Sequence, residues 1–164
     1  TLSLHDALPI IIRLATTMDA AEISNLTIST LRNINAKDYS REQIEVWEKT
    51  DSVEKVTDRL RETDRHTLVA LQDNMIVGVG SLKENEITAL YISASFIGKG
   101  IGKEILKALE IIARAKSVKI IGLHSSTTAC GFYTKYGYKR VKDSFHVIDG
   151  KNIPCIVMEK SLTI

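Results

Sequence analysis

Cysteine is scarce in this chain of 164 residues: Cys130 and Cys155 are the only two. They lie far apart, form no CxxC pair and supply no dense disulfide framework of the kind that holds small secreted folds together. Two isolated thiols point to a reducing compartment, so the cytoplasm is the expected location, with a single Cys130–Cys155 bridge left open. An excess of one charge is also missing. Lys and Arg number 22 against 20 Asp and Glu, a formal net charge of +2, and that excludes a general basic field for nucleic acid. No apolar run approaches the roughly 20 residues of a membrane span, so neither membrane nor nucleic acid is an expected partner. No internal repeat or low-complexity linker interrupts the chain. The length suits one domain with a substantial core. That domain is expected over residues 10–164, with 1–9 as a leader or tail outside the fold. Thr1 to Pro9 lack the charged start and long apolar centre of a signal peptide.

What is present reads as alternating elements. Ile10 to Ala15 is a first strand, and Asp19 offers an N-cap for a helix to about Asn33. Ser40, with Gln43 three residues on, makes a capping box for a helix carrying Ile44, Val46 and Trp47. Ser52 to about Glu62 is a charged helical stretch, read as a solvated face. His66 to Leu71 and Met75 to Leu82 form a hairpin around Gln72-Asp73-Asn74, and Glu86 to Ile92 is the next strand. A helix from about Gly100 to Lys116 shows apolar residues at helical spacing, Ile101, Ile105, Ala108, Leu109, Ile112 and Ala113 among them. Then come a strand to His124, a short helix from Ala129 to Tyr136 with Gly137 as C-cap, and a closing hairpin around Asp149-Gly150. Pro154 suits the start or edge of its last strand. The order β-α-α(α)-β-β-β-α-β-α-β-β predicts a mixed α/β layer fold, largely antiparallel, with one parallel crossover.

Residues 96–103, Phe-Ile-Gly-Lys-Gly-Ile-Gly-Lys, sit between a strand and the longest helix. Glycines at alternate positions there make a main-chain cradle for an anion at a helix N-terminus, and Lys99 and Lys103 add charge. The P-loop spacing fails, because three residues separate Gly98 from Gly102 and Glu104 follows Lys103. The dinucleotide fingerprint fails too, since Lys103 occupies its third glycine position.

This order and its motifs resemble the GNAT superfamily of acyl-CoA-dependent N-acyltransferases, over about Ile10 to Leu162. The family frame R/Q-x-x-G-x-G/A reads Ile97-Gly98-Lys99-Gly100-Ile101-Gly102, with Ile97 where Arg or Gln is usual. Leu90-Tyr91-Ile92 matches the apolar strand end before it, and Ala94 stands where proline is frequent. The later signature N-x-x-A-x-x-F-Y appears as Ser126-Thr127-Thr128-Ala129-Cys130-Gly131-Phe132-Tyr133, followed by Gly137-Tyr138. The resemblance implies a sheet of about seven strands flanked by helices and a coenzyme A ligand. It places the pyrophosphate on the amides of Gly98, Lys99, Gly100, Ile101, Gly102 and Lys103. Pantetheine would run beside Leu90, Tyr91 and Ile92, with Ser126, Ala129, Phe132 and Tyr133 on the other side.

Attack of an amine on a thioester needs a proton acceptor, an oxyanion donor and an acid for the leaving thiolate. The resemblance makes Tyr133 the acid and a main-chain N–H near Tyr91 or Ile92 the oxyanion donor. Glu86 is the base candidate, at the interval that the histone-acetylating branch uses; an ordered water chain is the alternative. Strand alternation puts Glu86, Thr88, Leu90 and Ile92 on one face. Tyr39 and Trp47 are candidates for the acceptor side, with a core position the plainer reading for Trp47. His124 reads as a core or strand-end histidine. His66 and His146 show no metal-like spacing, so no metal is expected. The expected activity is acetyl transfer from acetyl-CoA to a primary amine of a small molecule through a tetrahedral intermediate. A protein amine as acceptor and a non-catalytic acyl-CoA sensor are the alternatives, and a homodimer stays open.

Overall fold

The computed structural model describes residues 9–163. Of the expected leader or tail only Pro9 falls among them, and it is exposed; the remainder lies outside the described residues. In chain order the elements are β1 (Ile11–Leu14), α1 (Ala20–Asn33), α2 (Arg41–Glu48), α3 (Val53–Leu60), β2 (Arg65–Gln72), β3 (Met75–Lys83), β4 (Glu86–Ile92), α4 (Ile101–Ala115), β5 (Ile120–Ser126), α5 (Cys130–Lys135), β6 (Lys139–Ile148) and β7 (Lys151–Ser161). They build one seven-stranded sheet in the order β1-β2-β3-β4-β5-β7-β6. Every neighbouring pair is antiparallel except β4 and β5, which are parallel. The expected mixed α/β architecture is therefore observed. No helix among the described residues is long and apolar enough to cross a membrane.

Strand alternation decides which helices cover which face. On β2, Val69 packs with Ala20, Ile23 and Leu26 of α1 and Val56 of α3. Its neighbours Leu68 and Ala70 point the other way, into a core with Ile101, Ile105, Leu106, Leu109 and Ala113 of α4. Two glycines of β3 allow α4 to lie this close. A Cβ on Gly78 would stand 2.8 Å from Ile105 Cδ1, and one on Gly80 would come closer still to Ile105 Cγ2. The buried face of α4 also carries Glu110, whose carboxylate accepts from Lys160 Nζ at 2.9 Å and from the Tyr138 hydroxyl at 2.9 Å. Gly137, at φ +94°, turns the chain after α5 so that Tyr138 enters this core.

Local signals worked where a short motif decides the geometry. Ser40 and Gln43 form the reciprocal capping box, at 3.1 and 2.8 Å. Asp73 with Asn74 and Asp149 with Gly150 both turn their hairpins with positive φ. Three expectations need correction. Asp19 precedes α1 but makes no cap bond into it; its carboxylate instead accepts from Thr16 N–H at 2.8 Å and pairs with Arg13. Pro154 lies inside β7 and not at its start, so of the two expected places only an unpaired edge holds. It is tolerated because pairing with β5 ends at Cys155, and the Pro154 carbonyl then accepts from the Tyr39 hydroxyl at 2.7 Å.

The third correction bears on the site. The β3–β4 register shifts between Ser81, opposite Ala89, and Leu82, opposite Ile87. Thr88 is the extra residue of a bulge, and it breaks the alternation. Ile87, Leu90 and Ile92 all pack on the α4 core, whereas Tyr91 packs on the opposite face. Glu86 thus shares the Tyr91 side, not the side of Leu90 and Ile92.

Candidate active site

The sheet opens in its middle. β4 and β5 pair only at Glu86 with Gly122 and at Ile87 with Leu123, and beyond Ile87 the two strands part. The main chain of β4 on that side is left with no strand partner among the described residues, so it offers amide groups to whatever fills the gap. A cleft of about 260 Å³ occupies it. Of the expected donor-site residues, Leu90, Tyr91, Ile92, Gly102, Ser126, Ala129, Phe132 and Tyr133 line this cleft together, along with Ile97.

At one end lies the glycine turn. Gly98 and Gly100 adopt φ of +82° and +84°, the left-handed region that glycine enters without strain. Nothing stands within 4 Å of where a Cβ would project from either, so open space borders the turn. Gly100 is the N-cap of α4 and contributes no side chain to it. The first intrahelical bond runs from Glu104 N–H to the Gly100 carbonyl at 3.1 Å, which leaves the amides of Ile101, Gly102 and Lys103 for an outside acceptor. A Cβ on Gly102 would lie 3.2 Å from the Phe132 ring, which would have to give by a few tenths of an ångström. The Ile101 side chain is buried in the α4 core, so only its main chain can serve the cradle. Lys99 Nζ lies over the Phe96 ring at 5.0 Å.

Tyr133 borders the cleft on the other strand's side. It is buried, in edge contact with Phe132 and Tyr138 at 5.3 and 5.6 Å between ring centres. Burial alone raises its pKa well above that of an ordinary phenol, with no charge or hydrogen bond contributing. The group therefore holds its proton firmly. Thr128 Oγ1, which the motif reading passed over, is buried on the wall of the same cleft without a hydrogen-bond partner. A buried hydroxyl in that state needs a partner, which a water or a ligand group in the cleft can supply.

Glu86 stands apart from that cleft, in an adjoining cavity that shares Trp47, Thr88, Tyr91, His124 and Ser126 with it. Its Oε1 lies 3.7 Å from His124 Nε2. His124 is no core residue: its side chain is 38% exposed and borders both spaces. Trp47 likewise lines the cleft instead of being sealed in the core, with Tyr39 packed edge-on behind it at 5.1 Å. Tyr39 itself is buried and braces the wall, accepting from Thr127 N–H at 2.9 Å.

A third cavity extends between α1, α3 and the sheet, lined in part by Trp47, Asp51, Arg59, Arg65 and Tyr91. Asp51 pairs with Arg59, yet burial outweighs the pairing and raises the carboxyl's pKa. Arg59 gave no sequence signal because it sits in the stretch from Ser52 to about Glu62 that reads as a solvated face, and Asp51 and Arg65 lie just outside that stretch in no motif. Thr128 could have been noticed inside the Ser126–Tyr133 signature. His124 could not, since its neighbours come from other strands.

A parted α/β sheet, an amide cradle at a helix N-terminus and a protonated tyrosine facing one gap define a transferase of the acyltransferase class. The comparisons agree. Residues 35–162 match the family described as the acetyltransferase (GNAT) domain, and the chain belongs to that family. A supposed acetyltransferase of Bacillus subtilis (strain 168) is 32% identical over 101 residues, covering 59% of this chain and 67% of the relative. A GCN5-related N-acetyltransferase from Rhodopseudomonas palustris superposes with a TM-score of 0.88 at 29% identity, covering 94% of this chain and 98% of that one. The PaiA N-acetyltransferase of Thermoplasma acidophilum, solved in complex with coenzyme A, gives a TM-score of 0.77 at 27% identity, covering 94% and 99%.

Proposed function

We propose that this enzyme moves an acetyl group from acetyl-CoA to a primary amine of a small molecule by direct transfer. The observation that carries the reading is a single cleft lined both by Gly102 of the α4 N-terminus and by Tyr133. The residues present suit coenzyme A on two counts. The uncapped α4 terminus with Gly98 and Gly100 fits a pyrophosphate. The open β4 edge and the orphaned Thr128 hydroxyl fit a chain of amides. Ile97 costs one side-chain contact and leaves the amide cradle unchanged.

Acetyl-CoA supplies the activated thioester; this chain's residues position it and move protons. The amides of Gly98 to Lys103 hold the phosphates. A main-chain N–H near Tyr91 or Ile92 stabilises the developing oxyanion. As the N–C bond forms and the C–S bond breaks, Tyr133 donates its proton toward sulfur and Glu86 accepts one from the amine. Trp47, Asp51 and Tyr91 border the acceptor side. Its enclosure by α1 and α3 favours a small amine over a protein segment.

The test measures stabilisation by acetyl-CoA, then release of thiol across a panel of amines. Turnover with small amines is expected. Absence of binding overturns the reading, and binding without turnover across the panel returns the protein to a sensor role.

A further inference from the structure

Beside the cleft, three strands carry one thiol and two imidazoles to a single point. Cys155 on β7, His124 on β5 and His146 on β6 offer ligand atoms that all lie within 4.8 Å of one another. Register explains the convergence. His124 stands opposite Val157 and His146 opposite Ile153, each two residues from Cys155, so both are its diagonal neighbours on one sheet face. Cys155 Sγ is 3.8 Å from His124 Nδ1. Neighbouring ligands of a tetrahedral zinc, bound at about 2.3 Å to sulfur and about 2.05 Å to nitrogen, lie about 3.5 Å apart. The two imidazole rings are tilted, with centres 5.1 Å apart.

The surroundings complete the case. His124 turns Nδ1 toward the thiol and Nε2 toward Glu86, 3.7 Å from Oε1. A carboxylate behind the far nitrogen is the usual partner of a metal-bound imidazole, fixing its tautomer and raising its basicity. One thiolate with two imidazoles suits a borderline-soft ion and not magnesium or calcium.

We propose that Cys155, His124 and His146 form a zinc site on the face of β5, β6 and β7, its fourth position open to the cavity that Trp47 and Tyr91 line. Binding releases the Cys155 thiol proton to solvent, and the His124 Nε2–H faces Glu86 Oε1. The spacing of these residues along the chain shows no metal motif, because sheet register and not sequence proximity assembles them. Glu86 belongs to both readings, but zinc binding can be measured without any acetyl transfer.

Tag-free, metal-stripped protein is titrated with Zn²⁺ and with Co²⁺, and binding is followed by calorimetry and by absorption. One equivalent of zinc is expected, with cobalt giving tetrahedral bands and a thiolate charge-transfer band. Cys155→Ser removes that charge-transfer band and weakens binding at least tenfold, and His146→Ala also weakens it at least tenfold. Glu86→Gln weakens binding about tenfold, and Cys130→Ser leaves it unchanged. His146 lies on the edge strand β6, so His146→Ala keeps the test decisive if Cys155→Ser fails to fold. No stoichiometric binding by the wild type, cobalt spectra without a thiolate band, or affinity unchanged in His146→Ala overturns the proposal.

Discussion

The two ends of the cleft are made of different materials. The end at α4 is main chain: positive-φ glycines, uncapped amides and an unpaired strand edge, with side chains turned away into the core. The other end, where the cleft meets two adjoining cavities, is side chain: Trp47 and His124 on its own wall, Asp51 and Arg59 in one cavity and Glu86 in the other, delivered by separate elements. An end made of backbone amides recognises a feature common to many ligands, phosphate and peptide-like amides. An end made of side chains can differ from one relative to the next without disturbing the fold. On the proposed function, the division assigns donor recognition to the fold and acceptor recognition to this particular sequence.

The division can be broken by experiment. The largest effect is expected from Gly98→Ala combined with Gly100→Ala. Each forces a Cβ into a left-handed conformation at roughly 1–2 kcal/mol, so coenzyme A affinity falls about 100-fold by calorimetry while the acceptor KM holds; an equal change in both would abolish the distinction between the ends. Next comes Tyr133→Phe, expected to lower kcat about 100-fold with coenzyme A affinity retained. Turnover at the wild-type rate would remove Tyr133 as the acid. Asp51→Asn acts on the other end alone, raising the acceptor KM about tenfold with donor binding intact; an unchanged KM would place the acceptor elsewhere.

The smallest effect is a control remote from the chemistry. Asp19→Asn removes the Arg13 pair and one acceptor of Thr16 N–H, lowering stability by about 1 kcal/mol. The Arg13 guanidinium, with the hydrogen bond from Thr16, holds the Asp19 carboxyl below its ordinary pKa. Its contribution is therefore complete above the unfolded value of about 3.9 and fades as the pH falls through the lower folded value. The Tm gap between variant and wild type should persist at pH 7 and close in strong acid, with kinetics unaltered throughout.

The same division governs what could be read in advance. The glycine turn, the capping box at Ser40 and the Asp149-Gly150 hairpin are local, so a few adjacent residues define them. Leu90 to Ile92 and Ser126 to Tyr133 were legible as motifs, and the cleft unites them. The bulge at Thr88 was not legible, because a bulge is a property of two strands in register, and it moved Glu86 to the other face. Asp19 misled for a related reason: its carboxylate had two amide directions to choose from, and Arg13 on β1 drew it back toward Thr16. The meeting of His124, His146 and Cys155 depends on three strands, and no window along the chain contains it.

The short pairing of β4 with β5 has a mechanical meaning. Two residue pairs at one end join the four strands β1 to β4 to the three strands β5 to β7, so the sheet resembles two plates on a hinge, backed by the core beneath α4. A ligand lying along the gap supplies the missing rungs and turns two plates into one. Its binding energy then adds directly to the stability of the whole fold. The substrate-free enzyme should therefore exchange amide hydrogens along both lips of the gap faster than anywhere else in the sheet's interior.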